Sequence, residues 1–277
     1  MIQWFPGHMV KARREIEENI KLVDIVIVLL DARAPMACRN PELEKMIRQK
    51  SLIMVLNKID LADAQAASRS KEHLKKQGYL VAAMDSAHCR GSKRVLDLTK
   101  QVYAPLAEMM LRKGRRVRPV RVMVVGVPNV GKSTFLNCLA GRKMARVGEK
   151  PGVTRGKQWL RIREDIELLD TPGLMWPKIE DEKQGLKLAL LNIIGENAYQ
   201  EYNVALYLVE LLKERHPDVL RERYRVQNVD LPVEDILAAI AASRGLLQKG
   251  GQPDLDKASR LVLQEYRRGT MGSISLE

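Results

Sequence analysis

The octapeptide GVPNVGKS, Gly126 to Ser133, limits the architecture more than any other stretch of this 277-residue chain. It follows an apolar run, VRVMVVG (120–126), and leads into a helix-forming segment. In that setting the pattern is a phosphate-binding loop between a strand and a helix. Such a strand is buried on both faces, so the unit demands a parallel sheet with helices on either side. Backbone N–H groups of Asn129, Val130, Gly131, Lys132, Ser133 and Thr134 are placed to cradle phosphates at the helix N-terminus. Lys132 is expected to reach the β- and γ-phosphates and Ser133 to hold Mg²⁺.

Downstream, DTPG closes an apolar strand: Asp170 is the expected Mg²⁺-side carboxylate, and the Gly173 N–H faces the γ-phosphate. Between loop and strand, EKPGVTRGK offers one hydroxyl, Thr154, as a switch residue closing on Mg²⁺ and γ-phosphate. The residue after Gly173 is Leu174, which cannot orient a water.

Upstream, strands alternate with helices. DIVIVLLDARAP reads as a buried strand ending in an exposed Asp-Ala-Arg turn, and SLIMVL is a second strand running into NKID. A helix over about 64–77, the strand YLVAAMD and a helix over about 92–112 come next, and two further short strands are expected at about 157–162 and 166–170. In NKID, the Asp60 carboxylate can accept from guanine N1–H and the 2-amino group, which adenine lacks. Asn57 would contact N7 and brace the loop, with the Lys58 stem across the base. DSAHCRG supplies Ser86 and Ala87, whose backbone can approach O6, although a plain loop competes with that reading.

The order of these motifs is unusual for a GTPase, because the base-reading elements precede the phosphate loop. Placing 120–175 ahead of 22–111 restores the usual order, so the chain is circularly permuted. WFPGHMVKA, DARAP, NKID, GVPNVGKS, PGVT and DTPGL, in this order, resemble the circularly permuted ribosome-assembly GTPases over essentially the whole chain. The expected fold is thus α/β: a permuted P-loop GTPase domain over 1–177, its sheet mostly parallel with helices on both faces. A small all-α domain over 178–277 follows, and the resemblance suggests RNA binding for it.

The resemblance also implies that His8 of FPGH takes over catalysis where Leu174 replaces a glutamine, since a neutral imidazole can accept from water or act as a base. The permutation agrees, because it lets the N-terminal segment emerge near the γ-phosphate side. The resemblance further implies a K⁺ bound at Asn129 in addition to Mg²⁺, against the plainer reading of a turn Asn bonded to its own backbone. The implied partner is the large ribosomal subunit and its rRNA, held in the GTP state and released on hydrolysis; neither DNA nor membrane is expected.

Charge gives this partner partial support. Residues 1–177 hold 33 Lys/Arg and 18 Asp/Glu, net +15, whereas 178–277 hold 14 and 16, net −2. A basic excess favours polyanions. Six cations fall within 112–121 and suit phosphate backbones. The C-terminal region must rely on local clusters such as Arg221, Arg223 and Arg225. An aromatic content of 4% argues against a base-stacking platform of the single-strand-binding type. The spacing of Cys38, Cys89 and Cys138 argues against a disulfide framework and a zinc site and for a reducing compartment. With IVIVLL (25–30) too short to span a membrane and the segment before it too charged for a signal peptide, a cytoplasmic location is expected. A GTPase acting on a protein partner, a passive RNA-binding protein and an anionic-membrane GTPase are the competing readings.

Overall fold

The computed structural model describes residues 14, 16–141, 158–170, 179 and 181–277. These fall into two compact units, one drawn from 14–170 with Glu277 and one from 179–276.

In the first unit, chain order is β1 (Ile25–Asp31), α1 (Pro41–Ile47), β2 (Ser51–Asn57), α2 (Ala64–Lys76), β3 (Leu80–Met84), α3 (Ser92–Arg112), β4 (Val120–Gly126), α4 (Lys132–Ala140), β5 (Gln158–Arg163) and β6 (Ile166–Asp170). The six strands form one sheet in the order β3-β2-β1-β4-β6-β5. All neighbours are parallel except β5, which runs antiparallel to β6. Every residue of β1 is buried, as a central strand covered on both faces must be. Side-chain caps set the helix starts: Asn40 accepts from the Leu43 N–H and Asp63 from the Ala66 N–H.

Counted from the phosphate-loop strand, the sheet order becomes 2-3-1-4-5-6. Chain leaving β4 crosses toward β6 and β5, whereas chain leaving β1 crosses toward β2 and β3. The crevice beyond the carboxyl ends of β4 and β1 is therefore the topological switch point, where open α/β sheets bind ligands. Permutation moves the chain ends and leaves this crevice in place.

The second unit contains α5 (Glu182–Leu190), α6 (Glu201–Arg215), α7 (Val233–Ser243) and α8 (Leu255–Arg268). Apolar residues four apart, such as Val204, Leu208 and Leu212, are fully buried, and Ile236, Ile240 and Val262 join the same core. Two helices stop earlier than the helical apolar spacing of GLKLALLNII (185–194) and VEDILAAIAASRGLL (233–247) suggests. Asn192 turns left-handed at φ 58° after α5, and Gly245 does so at φ 67° after α7. The Leu246 N–H then bonds the Ala241 carbonyl, closing the end of α7.

Candidate functional site

Four loops meet at the switch point because four parallel strands end there. The phosphate loop follows β4, and DARAP follows β1. NKID follows β2, and DSAHCRG follows β3.

The phosphate loop is held in a shape that needs unusual backbone. Gly131 has φ 98° and Asn129 has φ 55°. A Cβ on Gly131 would lie 2.6 Å from Asn57 Nδ2, so only glycine lets the two loops approach this closely. Lys132, the first residue of α4, is almost fully buried. Its ammonium donates to the carbonyls of Gly126 and Val127 at 3.3 and 3.1 Å, which places the charge along the loop. Ser133 and Thr134 follow in the first turn of α4.

Asn57 and Lys58 fasten the NKID loop to the phosphate loop. Asn57 donates from Nδ2 to the Val130 carbonyl at 2.8 Å and accepts at Oδ1 from the Ser86 hydroxyl at 2.6 Å. Lys58, itself left-handed at φ 57°, donates to the Asn129 carbonyl at 2.9 Å. Buried neutral hydrogen bonds like the two of Asn57 contribute roughly 1 kcal/mol each, and stranding one partner costs more. Asp60, just beyond, is exposed at the mouth of the crevice.

The β3 loop is shaped by Asp85. Its carboxylate accepts from the His88 backbone N–H at 3.0 Å and lies 2.8 Å from His88 Nδ1. Burial alone would raise the Asp85 pKa, but the hydrogen bonds and charge of His88 and the Ala87 N–H hold it below the usual carboxylate range. Ser86 is buried against Asn57, and Ala87 is exposed. Among the described residues, the ligand atoms of Asp60, Asp85 and His88 lie within 4.8 Å of one another.

Three expectations need correction. The Asp-Ala-Arg turn is not exposed. Asp31 is fully buried and Arg33 nearly so, and the guanidinium grips the carboxylate through Nε at 2.9 Å and Nη2 at 2.8 Å. A charged pair can enter a core when each charge is matched and hydrogen-bonded. Cys89 and Cys138 form a disulfide, with Cα atoms 5.4 Å apart, because the β3 loop and α4 converge beside the site; Cys38 is a buried free thiol. Arg223 is half-buried and paired within the chain, donating from Nε to Glu265 at 2.7 Å. Of the C-terminal cluster, Arg221 and Arg225 remain exposed.

His8, Thr154, Gly173 and Leu174 lie outside the described residues, and Asp170 is described as backbone only. That backbone is in register with Val124 of β4, two residues before Gly126. Asp170, a carboxylate residue, thus ends the strand beside β4, and Ser133, a hydroxyl residue, stands in the first turn of α4, past the loop that follows β4. Hard oxygen donors of this kind fit Mg²⁺, and the ion would screen phosphate charge.

The sequence pattern of the family described as "50S ribosome-binding GTPase" matches residues 121–241. Ribosome biogenesis GTPase A from Bacillus cereus is 40% identical over 277 residues, covering 100% of this chain and 94% of that protein. The chain belongs to the ribosome biogenesis GTPase A family. A second family member, from Thermotoga maritima, is 32% identical over 276 residues, covering 100% of this chain and 94% of its own. The crystal structure of GNP-bound YlqF from T. maritima superposes with a TM-score of 0.67 at 28% identity, covering 96% of this chain and 97% of that one.

As a member of the ribosome biogenesis GTPase A family, the protein is a ribosome-related GTPase with a circularly permuted domain. It hydrolyses GTP to GDP and phosphate, with Mg²⁺ as is typical of GTPases. Among the described residues, no helix is long and apolar enough to cross a membrane. The motifs did not signal Asp31, Arg33, Asp85 or His88 as site residues. Their one sequence cue is a position directly after, or within a few residues of, a strand's carboxyl end.

Proposed function

We propose that this GTPase is an assembly factor for the large ribosomal subunit, binding its rRNA in the GTP state and leaving on hydrolysis. Similarity along the whole chain to proteins named for ribosome biogenesis carries this reading. The end of α3 and the residues after it support it: Arg112, Lys113, Arg115 and Arg116 are all exposed. Arg118 is instead paired with Asp24, and Arg121 lies over the Trp159 ring. The four exposed cations suit a phosphate backbone. In the helical unit, Arg221 and Arg225 would contribute locally.

In this scheme Asn57, Lys58 and Asp60 read guanine, and the backbone at Ser86 and Ala87 meets O6. Residues Asn129 to Thr134 cradle the phosphates, Ser133, Thr154 and Asp170 face Mg²⁺, and Asn129 faces K⁺. Thr154 and Gly173 close on the γ-phosphate, and His8 positions the attacking water in place of Leu174. In this scheme the protein acts in the cytoplasm.

The test is co-sedimentation of the GTP-loaded protein with purified large subunits across a salt series. Binding should weaken steeply with salt, and Arg115→Glu with Arg116→Glu should lower the log–log slope by roughly 0.7–0.9 per lost contact without changing GTP affinity. Salt-independent binding that ignores those substitutions would favour a GTPase acting on a protein partner.

A further inference from the structure

Asp31 sits between two cations whose positions matter to different loops. Arg33 grips its carboxylate, and the Lys58 ammonium lies 3.1 Å from Oδ2. Lys58 also donates to the Asn129 carbonyl of the phosphate loop. The register explains the arrangement: Asp31 of β1 pairs with Asn57 of β2, so the residue after Asn57 is delivered to the Asp31 carboxylate. Burial would favour the neutral acid, but the charges of Arg33 and Lys58 and the Arg33 hydrogen bonds outweigh it, so Asp31 is ionised.

From this geometry we infer that Asp31 is a positioning residue for guanine recognition, acting through Lys58. The inference rests on the reading of NKID as the base-specificity loop. A lysine is a flexible point charge on a four-carbon stem. With its ammonium anchored between Asp31 and Asn129, the stem has one path, and the left-handed turn at Lys58 is held. Asp60 follows two residues later, so its carboxylate is delivered to the base edge from a fixed point. Arg33 completes the device: without it Lys58 alone would have to offset the burial of a full negative charge. The carboxylate thereby joins the ends of β1 and β2 to the phosphate loop, and the base loop cannot drift from the phosphate loop without breaking an ion pair.

The test compares affinities for GDP and IDP, because hypoxanthine lacks the 2-amino group that Asp60 would read. The ratio is independent of the fraction of protein that is folded, so it separates positioning from stability. A hydrogen bond to a charged group gives the wild-type protein a preference for GDP of roughly tenfold or more. Asp31→Asn should reduce that ratio about fivefold. Asp31→Glu keeps a carboxylate for Arg33, and should fold if Asn does not. It should reduce the ratio about twofold, because it moves the carboxylate by one methylene. Lys58→Met should reduce the ratio as Asp31→Asn does, and adding Asp31→Asn to Lys58→Met should change it no further. A wild-type ratio in either Asp31 variant, or an additive double variant, overturns the inference. A wild-type protein with no preference for GDP over IDP would instead overturn the underlying reading of NKID.

Discussion

Gly131→Ala probes the joint between the base loop and the phosphate loop. The new Cβ would sit 2.6 Å from Asn57 Nδ2, whereas ordinary contact begins at 3.4 Å, so Asn57 must retreat by about 0.8 Å. That retreat breaks its 2.8 Å hydrogen bond to the Val130 carbonyl. Stranding a buried carbonyl costs about 1–3 kcal/mol. The backbone at φ 98° adds roughly 1–2 kcal/mol of strain for an L side chain. Both terms act on the phosphate loop and its contact with Asn57, so the cost is expected in nucleotide binding. At about 1.4 kcal/mol per decade, a total of about 2–5 kcal/mol weakens GDP binding roughly 30- to 4000-fold. Titration with a fluorescent GDP analogue, or calorimetry if binding becomes weak, reads the loss. Against an Asn57→Ala background the clash is gone, and the same substitution should cost only the strain, about 5- to 30-fold. An equal cost in both backgrounds would refute the argument that Gly131 makes room for Asn57.

Asp60→Asn replaces a pure acceptor with a group that also donates. GTP binding should weaken roughly 10- to 100-fold while XTP, with a carbonyl at C2, gains affinity; competition against labelled GDP measures both. In the helical unit, burial would raise the Glu265 pKa, but hydrogen bonds from Arg223 and Tyr224 and the charges of Arg223 and Arg244 hold it below its ordinary value. Its contribution is therefore full above the unfolded pKa, near 4.3, and is lost as pH falls through the lower folded value. Glu265→Gln should cost about 1–3 kcal/mol at pH 7 and flatten the acid limb of stability, read by denaturant titration at a series of pH values. His8→Ala should leave GTP affinity unchanged and lower subunit-stimulated turnover by roughly 100-fold or more in single-turnover assays. Intact stimulation would reject His8 as the group that positions water.

The strand alternation, and the places of the phosphate loop and NKID at strand ends, were legible because each motif has particular residue types at fixed spacing after an apolar run. The permuted order could be read for the same reason: each motif names the strand end it belongs to, and the sheet places β4 beside β1 accordingly. The Asp31–Arg33 pair was not legible. Two charged residues after an apolar strand look like a surface turn, and their burial depends on Lys58 arriving from the neighbouring strand. Cys89 and Cys138 are 49 residues apart, so spacing hides a pairing created when the β3 loop and α4 converge. Arg223 and Glu265 are separated by 42 residues and meet only once α8 is packed. Apolar periodicity overran α5 because Ile193 and Ile194 are buried beyond the helix end, after the left-handed turn at Asn192.

The central claim is that a large ribosomal subunit is the partner that turns this GTPase over. Its most direct test is the rate of GTP hydrolysis in K⁺ buffer with and without purified large subunits. The expected result is a rate that rises with subunit concentration to saturation and drops when Na⁺ replaces K⁺. A rate indifferent to the subunit, from protein that binds GTP normally, would contradict the claim.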